Sequence, residues 1–223
     1  FGTYPAILIY FSSLVDSDTI NREILKPLMT SSPRAEVDPA RGPDLKDFLL
    51  YDQLYFARGE WITDFSTMLD ALMTGFSVIL VQGVEAALLL ETQRIDQRSI
   101  DQPKTEQVIR GPREGFIERL ETNLALLRYR LPTEKLKVKT MKIGRLTKTK
   151  VAVCYLEGIT NPALVQEVQR RLSKIDIDGI LDSGYLEQFL SDHHWTPFPL
   201  LQNTERPDKA AAALMEGRVT IIA

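Results

Sequence analysis

The residues best equipped for chemistry are arginines set among glutamates around a glycine-proline pair. They run Arg110-Gly111-Pro112-Arg113-Glu114-Gly115-Phe116 and continue through Glu118, Asn123, Arg128 and Arg130. Guanidinium groups and the unpaired backbone N–H groups of a helix start can hold a carboxylate or a phosphate. The same charges can act as scaffolding. Arg113, Arg119, Arg128 and Arg130 paired with Glu114, Glu118 and Glu121 would lock the two lobes of the chain together with no ligand, and this reading is the favoured one. A second constellation, Thr204-Glu205-Arg206-Pro207-Asp208, reads as an extended stretch entering a helix, with Thr204 or Asp208 as cap and Pro207 fixing the backbone. Arg110, Gly111, Arg113, Glu114, Asn123, Arg128, Arg130, Glu205 and Arg206 are therefore the candidates for contact with a ligand or a neighbouring subunit.

Other chemistries lack their residues. His193 and His194 are adjacent, so they point apart on a helix or strand, and no carboxylate stands at zinc-motif spacing. Asp176, Asp178, Gly179 and Glu187 resemble a calcium loop, but the glycine comes two places early and Ile180 holds a ligand position, so a turn between two helices is expected. Gly-x-x-x-x-Gly-Lys-Ser/Thr and Gly-x-Ser-x-Gly are both missing, and no cysteine–histidine pair or carboxylate cluster with a base emerges. These residues give no catalytic centre, metal site or cofactor site. Lys135, Lys137, Lys139, Lys142, Arg145, Lys148 and Lys150 form a tract with no acid between Glu134 and Glu157. Contact with anionic lipid is one reading; a strand edge guarded by lysines is favoured over it. Trp61 and Trp195 are read as packing residues.

Composition sets the frame. The chain has 223 residues, 44% of them hydrophobic and 26% charged, enough for a substantial core. A net charge of -3 argues against nucleic acid as a general partner. Cys154, the one cysteine, lies in the apolar run Val151-Ala152-Val153-Cys154-Tyr155 and reads as a small buried hydrophobe, so no internal disulfide can form. No run reaches the ~18 apolar residues of a membrane span. The chain opens on Phe1 rather than Met and closes on an apolar run, which suggests part of a larger protein.

The elements that must position the charges form two related sets. Ala6–Phe11 leads through Asp16 and Asp18 to a helix with Ile20, Ile24, Leu25 and Leu28 on one face. Val151–Leu156 leads through Asn161-Pro162, a strong N-cap with proline at the first helical position, to a helix bearing Val165, Val168, Leu172 and Ile175. Ala71-Leu72-Met73-Thr74-Gly75 closes a helix before Ser77–Val81, and Ala213-Leu214-Met215-Glu216-Gly217 does so before Val219–Ile222. Glycine at each junction supplies a left-handed C-cap. The fold class is therefore α/β, with two related subdomains, 1–109 and 110–223, each a small mixed sheet flanked by helices. Further strands are expected at Ala86–Thr92 and Lys135–Ile143, a helix at Phe116–Leu131, and linkers at 31–43 and 96–112.

The Arg110–Arg130 pattern, with Arg98-Ser99-Ile100, Pro103, Thr105-Glu106 and the Thr204–Asp208 segment, resembles the A subunits of bacterial spore germinant receptors from about Ala6 to the end. Leu200, where the family commonly has glutamine, and Ser12-Ser13, where it has an Asp-Gly-like turn, depart from it. The resemblance implies the soluble N-terminal domain of a multi-pass protein of the spore inner membrane, on the cytoplasmic (spore core) side, with a membrane region downstream of residue 223. It implies receptor B and C subunits, other A subunits and a small nutrient (amino acid, sugar or nucleoside) as partners. The implied role is nutrient sensing and signalling that leads to ion release, or else assembly of the receptor with the nutrient pocket on another subunit. Neither role is enzymatic.

Overall fold

Short apolar runs become strands, and the residue parity along each strand decides which helices cover it. The computed structural model describes residues 5–30, 46, 49–50, 54, 59–93, 106, 114–192 and 199–223. It divides into two compact units, Phe1–Ile95 and Asp96–Ala223.

The first unit runs β1 (Ala6–Ile9), a helical segment α1, β2 (Gly59–Ile62), α2 (Phe65–Met73), β3 (Phe76–Val81) and β4 (Ala87–Glu91). Segment α1 opens as an α-helix over Ser17–Thr19, widens to π geometry over Ile20–Leu25 and ends as an α-helix over Lys26–Thr30. Asp16 caps it by accepting the Asp18 N–H. The sheet order is β1-β3-β4-β2. In the central strands, alternate side chains go to opposite faces. Ile79, Val81, Leu88 and Leu90 pack with Ile20 and Ile24 of α1, whereas Val78, Ala87 and Leu89 pack with Met68 and Leu72 of α2. Burial on both faces explains why Val78–Val81 of β3 and Ala87–Leu90 of β4 read as unbroken hydrophobic runs.

The second unit runs α3 (Leu120–Arg130), β5 (Leu136–Ile143), β6 (Thr149–Leu156), α4 (Pro162–Ser173), α5 (Ser183–Leu190), α6 (Pro207–Met215) and β7 (Thr220–Ile222). Its sheet has the order β5-β6-β7. Parity sorts this core too. Leu136, Ala152, Cys154 and Ile222 meet α3 and α6 through Leu127 and Leu214, while Ile143, Val151 and Val153 meet α4 and α5 through Leu172 and Leu186. Strand β5 is an edge of this sheet, which agrees with lysines guarding an open backbone.

The repeat seen in the sequence holds in the hydrogen bonding. Leu8, two residues before Tyr10, pairs with Ile79, four after Gly75; Val153, two before Tyr155, pairs with Ile221, four after Gly217. Both glycines adopt positive φ, +95° at Gly75 and +85° at Gly217, as the C-cap argument required. Asn161 caps α4 by accepting the Ala163 N–H at 2.9 Å. The α/β class stands, with every pairing in the two sheets antiparallel where mixed sheets were expected. Each opening strand is followed by a helix, and the chain returns through a helix that delivers its closing strand in the opposite direction.

One helix boundary differs from expectation. The helix expected from Phe116 begins at Leu120, and residues 114–119 are not helical. Phe116 still packs against the core that Leu120 and Leu127 share, so its apolar spacing imitates a helical position. The Asp176–Gly179 segment does lie between two helices, α4 and α5, as an irregular stretch with a bend at Asp178 rather than the expected turn. The segments 31–43 and 96–112, Glu106 excepted, fall outside the described residues, as do His193, His194 and Trp195.

Candidate functional site

The described members of the arginine-rich signature fall within the second unit, and several of them gather around the approaches to α3 and α6. Proline at the head of α6 fixes the entry angle, and the capping residue, Arg206, makes no side-chain cap. Neither Thr204 nor Asp208 is the expected cap; Thr204 lies two residues before the cap position, its hydroxyl accepting the Arg206 N–H at 3.1 Å and donating to Glu106 Oε2 at 2.5 Å. The same Glu106 oxygen accepts the Glu205 N–H at 3.2 Å, and Oε1 accepts Lys209 Nζ at 2.7 Å. A carboxylate at a helix start suits the positive end of the helix dipole. The Lys209 ammonium, then the Thr204 hydroxyl, holds the Glu106 carboxyl below its ordinary range. Arg206 turns to Asp208 in a bidentate pair, which lowers the Asp208 carboxyl and raises the guanidinium.

The start of α3 is braced by side-chain chemistry that periodicity does not reveal. Asn123, 2% exposed, accepts the Ile117 N–H at 2.8 Å and donates to the Ile117 carbonyl at 2.6 Å. This closed amide pair satisfies a buried polar group and fixes the non-helical backbone at residue 117. Next to it the Phe116 N–H donates to the Glu205 carbonyl at 2.7 Å, joining the approach to α3 with the approach to α6. Glu114 pairs with Arg130 at the far end of α3.

These contacts bring together Glu114, Asn123, Arg130, Glu205 and Arg206. Arg128 is placed elsewhere: burial lowers its pKa, opposed by the charge of Cys154 on β6, whose thiol burial pushes up to about 12. The reading of Cys154 as a buried hydrophobe stands. Of the expected glutamate pairings, Glu114 with Arg130 is present, whereas Glu121 pairs with Lys150 at 3.0 Å. Arg110, Gly111 and Arg113 lie outside the described residues. Glu106 and Lys209 were not among the candidates; Glu106 appeared in the sequence as part of a family pattern, but nothing local tied it to α6. Among the described residues, no group of three or more His, Cys, Asp or Glu is placed to hold a metal. Asp176 is engaged by Arg145 through two hydrogen bonds of 2.8 and 2.6 Å. A groove of about 380 Å³ opens beside that pair, lined by Met141, Leu172 and Ile177 among others.

The family model for the Bacillus/Clostridium GerA spore germination protein matches residues 2–223. The chain belongs to the GerA family. Spore germination protein KA of Bacillus subtilis is 38% identical over 96% of this GerA-family chain, and spore germination protein A1 of the same species is 34% identical over 96%. A B. subtilis relative described as uncharacterized membrane protein YfkQ is 37% identical over 96%. The chain spans only 38 to 42% of the length of these three relatives. The fold matches the crystal structure of the N-terminal domain of the A subunit of the Bacillus megaterium spore germinant receptor GerK3, with a TM-score of 0.71, 33% identity, and coverage of 99% of this chain and 78% of that one. No described helix is long and apolar enough to cross a membrane.

Proposed function

We propose that this chain is the N-terminal domain of a nutrient germinant receptor A subunit and takes part in the sensing and signalling that trigger germination through ion release. The observation that carries the proposal is the end-to-end likeness to the GerK3 A-subunit N-terminal domain. In this reading the whole protein sits in the spore inner membrane with B and C subunits. This domain lies on the spore-core side, and a membrane region follows residue 223. The subdomain limits 1–109 and 110–223 and the signature arginines as contact sites belong to the same proposal.

A second reading makes the domain an assembly module, with the nutrient held by another subunit. The specific support is that the anion at the start of α6 is the chain's own Glu106, so the position best suited to a foreign carboxylate is already filled. Calorimetric titration of the chain against amino acids, sugars and nucleosides separates the two. Saturable heat with a negative heat-capacity change supports sensing. Absence of heat, together with loss of B and C subunits from spore membranes in the Arg130→Gln variant, supports assembly. Spores that lack the gene and still respond normally to every nutrient would overturn both.

A further inference from the structure

The turn joining β5 to β6 is built to hold its tip still. Gly144 and Lys148 bracket it at φ of +94° and +47°. The N–H groups of Arg145 and Leu146 donate to the carbonyls of Ile177 and Asp178 at 2.9 and 2.8 Å, and Thr147 Oγ1 accepts the Ile180 N–H at 3.2 Å. On this pinned support Leu146 is 80% exposed, and Leu181, the residue after Ile180, is 82% exposed. Isolated exposed leucines are ordinary, but two on one hydrogen-bonded tip form an apolar feature that water does not favour. Lys142 and Lys148 flank the turn, and among the described residues neither joins an ion pair.

Strand register gives this tip a direction. Strand β7 runs antiparallel to β6, with Thr220 opposite Cys154 and Ile222 opposite Ala152, so the chain moves toward Thr149 and the turn as it approaches Ala223. A chain continuing past Ala223 leaves the sheet at the end that carries Leu146.

We propose that this tip is a membrane-surface contact, in which Leu146 and Leu181 enter the interfacial layer while Lys142 and Lys148 reach the headgroup phosphates. The proposal rests on the reading above that a membrane region follows residue 223. Asp176 is neutralised by Arg145, and Asp178 and Asp182 stand on the facing segment. The local charge is close to balance, so the leucines carry the contact and anionic lipid strengthens it only moderately. Two leucines are too little to hold a free domain on a bilayer; a covalent tether supplies the effective concentration that makes the contact persist.

The test reproduces that tether. The 223-residue chain is attached through a histidine tag after Ala223 to nickel-chelating lipid in phosphatidylcholine vesicles, with and without phosphatidylglycerol. Cys154 is 0% exposed, so an environment-sensitive dye labels a cysteine introduced at the surface. Labelled Leu146→Cys and Leu181→Cys chains brighten about threefold and shift to the blue, somewhat more with phosphatidylglycerol. Labelled Glu134→Cys, beyond the opposite end of the eight-residue β5, which is about 26 Å long at about 3.3 Å per residue, stays unchanged. No change at either leucine position, or equal change at all three, overturns the proposal. So does a signal that rises with protein concentration without vesicles and is unaltered by them, since the tip then meets a second copy of the chain. Because the tag imposes the tether, failure here leaves the germination reading standing, and failure of spores to need the gene leaves the vesicle result standing.

Discussion

Glu106 and Lys209 stand 103 residues apart in the chain and are joined by a 2.7 Å hydrogen bond at the start of α6. With Thr204 and Glu205 on the same carboxylate, Glu106 gathers donors from the whole approach to that helix. Glu106→Gln is expected to lower stability by about 1–2 kcal/mol at neutral pH, through loss of a charge-assisted hydrogen bond and of the helix-dipole interaction. The folded state holds this carboxyl below its usual range, so its contribution is complete above the unfolded pKa and disappears as pH falls through the folded one. Urea melts of the two proteins at successively lower pH should converge in the acid range. A gap that stays constant there rules the mechanism out.

Asn123 should be the most sensitive polar residue of the signature. Asn123→Ala leaves the N–H and carbonyl of Ile117 without their partner in a buried setting, and a loss of about 2–4 kcal/mol follows. Arg130→Gln should cost about 1 kcal/mol or less, because the pair it breaks has side chains 27% and 35% exposed. Denaturant melts that rank the two variants the other way would show that the amide pair does not organise the entry to α3.

Two glycine turns of the first unit make a matched test. At Gly75 a Cβ would meet the Leu14 carbonyl oxygen at 2.9 Å and Gln93 Cβ at 3.0 Å, whereas at Gly83, also at positive φ, nothing lies within 4 Å. Gly83→Ala should therefore cost only the backbone term of about 1 kcal/mol, and Gly75→Ala that amount plus the clash, about 2–4 kcal/mol in all. Thermal melts giving equal losses would place the cost in φ alone.

What could be read in advance was what depends on neighbours in the chain. Gly75 and Gly217 each follow a helix and precede an apolar run, and positive φ at that junction needs no distant information. Asn161-Pro162 marked a helix start for the same reason. The parity of the first half of β5 was also plain, because lysines alternate there with Leu136 and Val138 on an edge strand, whereas Ile143 buries on the parity of Lys137 and Lys139. Asn123 was recognised as part of a pattern, but its pairing with Ile117 was not legible. The helix-like spacing of Phe116 hid the non-helical backbone to which the amide binds. The attachment of Glu106 to α6 is a long-range event without local signature, so its chemistry had to come from coordinates.

The pairing of β6 with β7 sets an order for synthesis on the ribosome. Strand β6 can zip to β5 as soon as their hairpin emerges, but its other side remains an open backbone edge until Thr220–Ile222 has cleared the exit tunnel. Nascent chains would carry that sticky edge through translation of α4, α5 and α6, with the apolar side chains of β6 waiting for their cover. Truncation of the 223-residue chain just short of Thr220 should therefore yield a product that chaperones retain or that aggregates, although the strand removed is only three residues long.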